Sequence, residues 1–135
     1  MTVPVPPGRI VQIATVEVFP PDVEVWASRP VLTQVFVRVN RAVQEDTLGS
    51  RKVDVFVRGA FPDACSRLTR LDLSRSLRFV DVLLEQSRPR VAPCPMVNVP
   101  FHFYFSVDET LAPGAYVLTL NGQPHPFEVR REYPN

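Results

Sequence analysis

The sequence predicts an all-β fold, an antiparallel β-sandwich of about seven to nine short strands. Hydrophobic residues recur at every second position in one segment after another, the period of a strand with one dry face. The chain holds 15 Pro against 5 Gly, a balance that disfavours helix interiors and suits short strands joined by stiff turns. Turn residues return at spacings of about 8–12 residues, and no segment sustains a helical period.

The expected organisation is one sandwich domain over residues 9–131, preceded by a Pro-rich arm (1–8) and followed by a short tail (132–135). Residues 10–18 read as a first strand with Ala14, Val16 and Val18 on one face. Phe19, Pro20, Pro21 and Asp22 form a turn or bend, after which the strand could pass to the other sheet. Residues 23–27 give a short strand with Val23 and Val25 inward and Trp26 on the opposite face. Residues 31–39 and 52–58 alternate cleanly, with Val35, Val37 and Val39, then Val53, Val55 and Val57, facing in. Their outward sets, Gln34, Phe36 and Arg38, then Asp54, Phe56 and Arg58, would face solvent. Phe36 and Phe56 share a phase, giving either an exposed aromatic pair or a surface covered by the N-terminal segment.

Residues 59–65 (GAFPDAC) read as a loop, and the leucines at 68, 71 and 73 fit neither period, leaving a short helix or an irregular strand. Residues 79–85 return to strand with Val80, Val82 and Leu84 on one side, and residues 86–97 form a long irregular connection. Residues 99–127 centre the fold. Phe101, Phe103 and Phe105 face inward from one strand and Tyr116, Leu118 and Leu120 from the next, with His102 and Tyr104 left outward. A last strand over 126–131 turns Phe127 and Val129 inward.

Composition narrows function more than it identifies it. A formal net charge of +1 provides no overall field toward nucleic acid or anionic membrane, and no apolar run reaches the length of a membrane span. Lys52 is the single lysine, yet no arginine cluster is dense enough to define an anion site. Neither a phosphate-cradling glycine loop nor a GxSxG elbow is present. The pairs Glu45-Asp46 and Asp108-Glu109 lie in turns, and His102 and His125 read as surface residues. No catalytic residue, metal ligand or cofactor is therefore expected. The N-terminus MTVPVPPG lacks the basic start and apolar core of a signal peptide, so the expectation is either a cytoplasmic protein or a native leader absent from this chain.

Cys65 and Cys94 read either as two free thiols or as a disulfide closing the intervening excursion. Their even count and loop settings in a Pro-rich β chain favour the bridge, worth about 3–4 kcal/mol through chain entropy and implying an oxidising compartment.

Residues 59–127 carry a resemblance. FPDACSRL, then a strand, then CP-x-V-x-VPF and L-x-PG-x-Y-x-L-x-LNG-x-x-x-x-F resemble a small immunoglobulin-like or fibronectin-like β-sandwich domain of secreted or lipid-anchored bacterial proteins, function largely unassigned. The resemblance implies the Cys65–Cys94 bridge and an extracytoplasmic location, and no catalytic residues. The run from Leu111 to Tyr116 resembles the corner of such sandwiches, with Pro113 and Gly114 making the turn and the Tyr116 hydroxyl reaching an upstream backbone group.

The function expected from all this is a non-enzymatic extracytoplasmic binding or structural module. Its partner would be a protein or a second copy, engaged through a sheet edge or loops, with neither nucleic acid nor a membrane span involved. The alternative is an inhibitor of a secreted peptidase acting through loops 41–50, 59–63 and 86–96.

Overall fold

The computed structural model of the chain describes residues 11–13, 15–40, 51–91, 93–107 and 110–130. In chain order the strands are β1 (Val11–Ile13), β2 (Val25–Ser28), β3 (Val31–Val39), β4 (Val53–Phe61), β5 (Arg67–Ser76), β6 (Phe79–Pro89), β7 (Val99–Ser106), β8 (Gly114–Leu120) and β9 (Gln123–Val129). They form two sheets, β1-β7-β4-β3 and β2-β6-β8-β9, with β5 flanking β6 on the side away from β8. No helix occurs among the described residues, so none is long and apolar enough to cross a membrane.

The core is where the period-two pattern places it. Val53, Val55 and Val57 of β4 and Phe101, Phe103 and Phe105 of β7 meet Val80, Val82 and Leu84 of β6 and Tyr116, Leu118 and Leu120 of β8 in one buried cluster. Side chains alternate across a strand, so each sheet supplies one dry face and the two faces close on each other. Each fully buried aliphatic or Phe side chain in such a cluster contributes about 1.5–3 kcal/mol. Gly59 makes one approach possible. A Cβ there would lie 2.7 Å from Cζ of Phe101, its cross-strand partner, and would also overlap the carbonyl oxygen of Val31.

Most pairings are antiparallel, as the alternation predicts, but β1 runs parallel to β7 and β6 parallel to β8. Between β6 and β8 the chain crosses to the other sheet to make β7, which lets β8 return in the same direction as β6. The N-terminal crossing falls near the prolines. β1 belongs to the first sheet and β2 to the second, and a turn closed by the Val23 amide donating to the Pro20 carbonyl at 3.0 Å lies between them.

Of the expected first strand at 10–18, Val11–Ile13 are strand and residues 15–18 are not. Among its described residues Val11–Ile13 pair with β7; beyond them the Glu17 amide donates to the Leu68 carbonyl at 2.8 Å, Val16 packs against the core and Val18 is exposed. Ala14 and the arm at 1–8 lie outside the described residues, as do loop 41–50, both turn carboxylate pairs and the tail. β4 extends through Gly59, Ala60 and Phe61, so the predicted loop at 59–65 begins only at Pro62. The ambiguous leucines belong to β5. A bulge between Leu68 and Arg70 shifts the register, so Leu68, Leu71 and Leu73 all oppose the inward residues Gln86, Leu84 and Val82 of β6. β6 likewise continues through Gln86, Ser87 and Pro89. Its polar end is dry and partly bonded: Ser87 Oγ pairs with Thr69 Oγ1 at 2.7 Å, and Gln86 Nε2 donates to Ser28 Oγ at 3.1 Å, while Gln86 Oε1 is buried without a partner among the described residues. β9 starts at Gln123, earlier than the expected 126, because Asn121 and Gly122 (φ 50° and 85°) turn the chain tightly between Leu120 and Gln123. Positive φ at both positions is the mirror-image turn that suits strand twist, and Asn-Gly tolerates it best.

Candidate functional site

Two regions hold chemistry-bearing side chains together: the disulfide end of the sandwich and the outer face of the first sheet.

At the disulfide end Cys65 and Cys94 are bonded, with Cα atoms 5.6 Å apart and a sequence separation of 29. Asp63 organises the approach. It is fully buried, and Oδ1 accepts from the Cys65 amide (2.9 Å), the Ser66 amide (2.9 Å) and the Ser66 hydroxyl (3.0 Å). Its other oxygen accepts from Arg88 Nη1 at 3.1 Å. Burial alone would raise the pKa of Asp63; the bonds from Arg88, Ser66 and the two amides outweigh it and hold the carboxyl below its ordinary range. The Ala64 amide donates to the Pro95 carbonyl at 3.1 Å, tying the two cysteine loops by backbone as well. Asp63 and both sulfurs lie within 4.8 Å of one another, but the sulfurs are consumed by the bridge and the carboxylate by its donors, a poor offer to a cation. Beside this cluster Arg88 and Arg90 lie over the half-exposed ring of Trp26, 5.0 and 5.8 Å from its centroid, and fasten β2 to β6.

The corner predicted at 111–116 is present. The Tyr116 hydroxyl donates to the Ala112 carbonyl at 2.7 Å, across the turn made by Pro113 and Gly114. Its ring stacks on Phe127 with centroids 5.5 Å apart, and Arg78 covers the ring at 5.3 Å.

On the outer face of the first sheet, Phe36, Phe56 and Tyr104 occupy matching positions on β3, β4 and β7. Neighbouring centroids are 6.3 and 5.2 Å apart. Phe36 and Tyr104 are exposed, and a groove of about 550 Å³ runs beside the row, bounded at one end by Ile13. Asp54, expected to face solvent, is buried on this face. Burial would raise its pKa, but Ser106 (2.6 Å), Asn40 (2.9 Å) and Arg38 (2.8 Å) donate to it, and with the charge of Arg38 they hold it below the ordinary range. His102 sits half-buried on the same face. His125 departs from its surface reading: it occupies the inward phase of β9, half-buried, with Nε2 shielded from solvent.

Of the three loops assigned to an inhibitory role, 59–63 is mostly strand and 86–96 loses its first four residues to β6. Asp63 and Asn121 carry roles that the sequence pattern leaves unassigned. The first has a signal, since Asp followed by amides two and three positions on forms an Asx turn. The second depends on a strand 37 residues away and has none locally.

Fold and site together define an all-β sandwich domain held at one end by a disulfide. A family model described as the ORF11 beta-sandwich domain matches residues 55–129, just over half of the chain, and the chain belongs to that family. The match runs from within β4 to the end of β9. Searches of curated proteins and of solved structures found no match.

Proposed function

We propose that the chain is a non-enzymatic binding or structural module of the immunoglobulin-like or fibronectin-like kind, working outside the cytoplasm of a bacterium as part of a secreted or surface-anchored protein. The Cys65–Cys94 bridge is the observation that carries the location, since such bonds persist where the compartment is oxidising. The buried acids support the non-enzymatic part. Asp54 and Asp63 are each saturated by donors that hold the fold, which leaves neither poised for proton transfer. Exposed loops, and sheet edges that carry no further strand among the described residues, supply surfaces for a protein partner or a second copy.

The test has two measurements on the full chain. Alkylation of the denatured protein without reductant is expected to add no mass, and with reductant to add two labels. Light scattering over a concentration series, alone and with extract of the source envelope, is expected to show self-association or a defined complex. Thiols that label freely without reductant would remove the extracytoplasmic reading. A chain that stays monomeric and uncomplexed throughout would remove the binding one.

A further inference from the structure

The outer face of the first sheet is ordered in three rows running across β3, β4 and β7. The middle row is aromatic: Phe36, Phe56 and Tyr104. On one side of it lies a closed row, in which Asp54 is taken up by Arg38 and Ser106, with Asn40 adding a third donor. On the other side lies an open row, Gln34, Arg58 and His102, whose side chains carry no hydrogen bond or ion pair among the described residues. Each of the three can donate.

The face therefore offers the exposed rings of Phe36 and Tyr104 together with donors, Phe56 lying half-buried between them with Arg38 over its ring at 5.1 Å, while Asp54, the carboxylate among its described residues, is already consumed. A fitting ligand presents carbonyl acceptors, few donors and a stiff apolar surface. A polyproline II segment has these properties. Proline has no N–H, the helix makes no internal hydrogen bonds, and its conformation is set before binding. Spacing agrees as well. The strands that carry the outer rings, β3 and β7, stand two strand spacings apart, about 9–10 Å, and one polyproline II turn advances about 9 Å. A polyanion fits less well, because Asp54 already neutralises Arg38 and leaves Arg58 as the uncompensated guanidinium of the groove.

We propose that this face docks a proline-rich segment of a partner protein in the polyproline II conformation, lying across Phe36, Phe56 and Tyr104 with its carbonyls toward Arg58 and His102. The proposal rests on the binding-module reading above and names its surface and its kind of partner.

The test titrates an octaproline peptide into the full chain, followed by calorimetry and amide chemical shifts. Saturable binding is expected, with shifts confined to β3, β4 and β7. Phe36→Ala and Tyr104→Ala, both at exposed positions, should each weaken it about tenfold, and Arg58→Gln should weaken it several-fold, with thermal midpoints confirming that the variants fold. A glycine-serine peptide of equal length should not bind. Absence of saturation, equal affinity in the three variants, or tighter binding of oligouridylate would overturn the proposal. Binding that emerges only when Pro4, Pro6 and Pro7 are replaced by Ser in the full chain would overturn it too, by giving the face to the chain's own arm. A silent octaproline titration beside a complex seen in light scattering would remove this face and leave the binding-module reading intact.

Discussion

Asn121 and Tyr116 show two ways in which one polar side chain can complete a β-fold. The parallel ladder between β6 and β8 ends where Leu120 pairs with Val82, and the chain then turns at Asn121. The Asn121 amide nonetheless continues the ladder. Its backbone N–H donates to the Val82 carbonyl at 2.9 Å, its Oδ1 accepts from the Leu84 amide at 2.9 Å, and its Nδ2 donates to the Leu84 carbonyl at 3.1 Å. The side chain thus imitates one more peptide unit of β8. Asn121→Ala would leave both polar groups of Leu84 without that partner, and the turn would lose a residue suited to positive φ. The expected cost is about 2–3 kcal/mol. Tyr116→Phe removes one bond, to a carbonyl at a corner near solvent, and should cost about 1 kcal/mol. Denaturant midpoints of the two variants check the order. An Asn121→Ala chain as stable as Tyr116→Phe would show that the side-chain pairing contributes little.

At the scale of the element, legibility follows dryness. β3, β4 and β7 were readable because each presents one face to the core, and the apolar residue at every second position marks it. β5 was unreadable because its bulge moves the inward phase from even to odd numbers, which no fixed period can follow. The end of β6 reads as loop because Gln86 and Ser87 are buried polar residues whose Nε2 and hydroxyl find partners, Ser28 and Thr69, on strands far away in sequence. The two parallel pairings have no local signature at all. The aromatic row is an intermediate case: Phe36, Phe56 and Tyr104 were visibly outward, but their alignment required the register. Gly59 gives the element-scale prediction. Nothing in its neighbourhood marks it as special, yet it stands between Leu32 and Phe101 in the middle of the first sheet with no room for a methyl group. Gly59→Ala would normally favour a strand. Here the methyl group meets a backbone carbonyl as well as the Phe101 ring, and the carbonyl cannot swing aside without breaking the β3–β4 ladder. The expected result is destabilisation by about 1–3 kcal/mol, read as a lowered denaturation midpoint; a neutral or stabilised variant would mean that β3 yields easily.

For the whole molecule, the two carboxylates buried among the described residues, Asp63 and Asp54, set the response to acid. Asp63 holds the disulfide end through Arg88, Ser66 and two amides, and Asp54 holds the outer face of the first sheet through Arg38, Asn40 and Ser106. Both have folded pKa values below the ordinary carboxylate value. In the unfolded chain each returns to about 3.9, so at low pH the unfolded state binds more protons and stability rises with pH. The stabilisation from these groups is complete above the unfolded value and is lost as pH falls through the lower folded values. The denaturation midpoint should therefore stay nearly level from neutral pH down to about pH 5 and fall steeply below about pH 4. Asp63→Asn and Asp54→Asn should each reduce that acid slope while lowering stability at neutral pH. The larger effect belongs to Asp63, whose carboxylate is wholly enclosed, because Arg38 beside Asp54 is half in water and screened. Reduction of Cys65–Cys94 removes the cross-link from the unfolded chain and should lower stability by about 3–4 kcal/mol, but it should leave the acid slope largely in place, since the Asp63 bonds do not pass through sulfur. An acid slope unchanged in both Asn variants would mean that other carboxylates govern acid unfolding. A slope that vanished on reduction would mean that the Asp63 turn exists only while the bridge holds it.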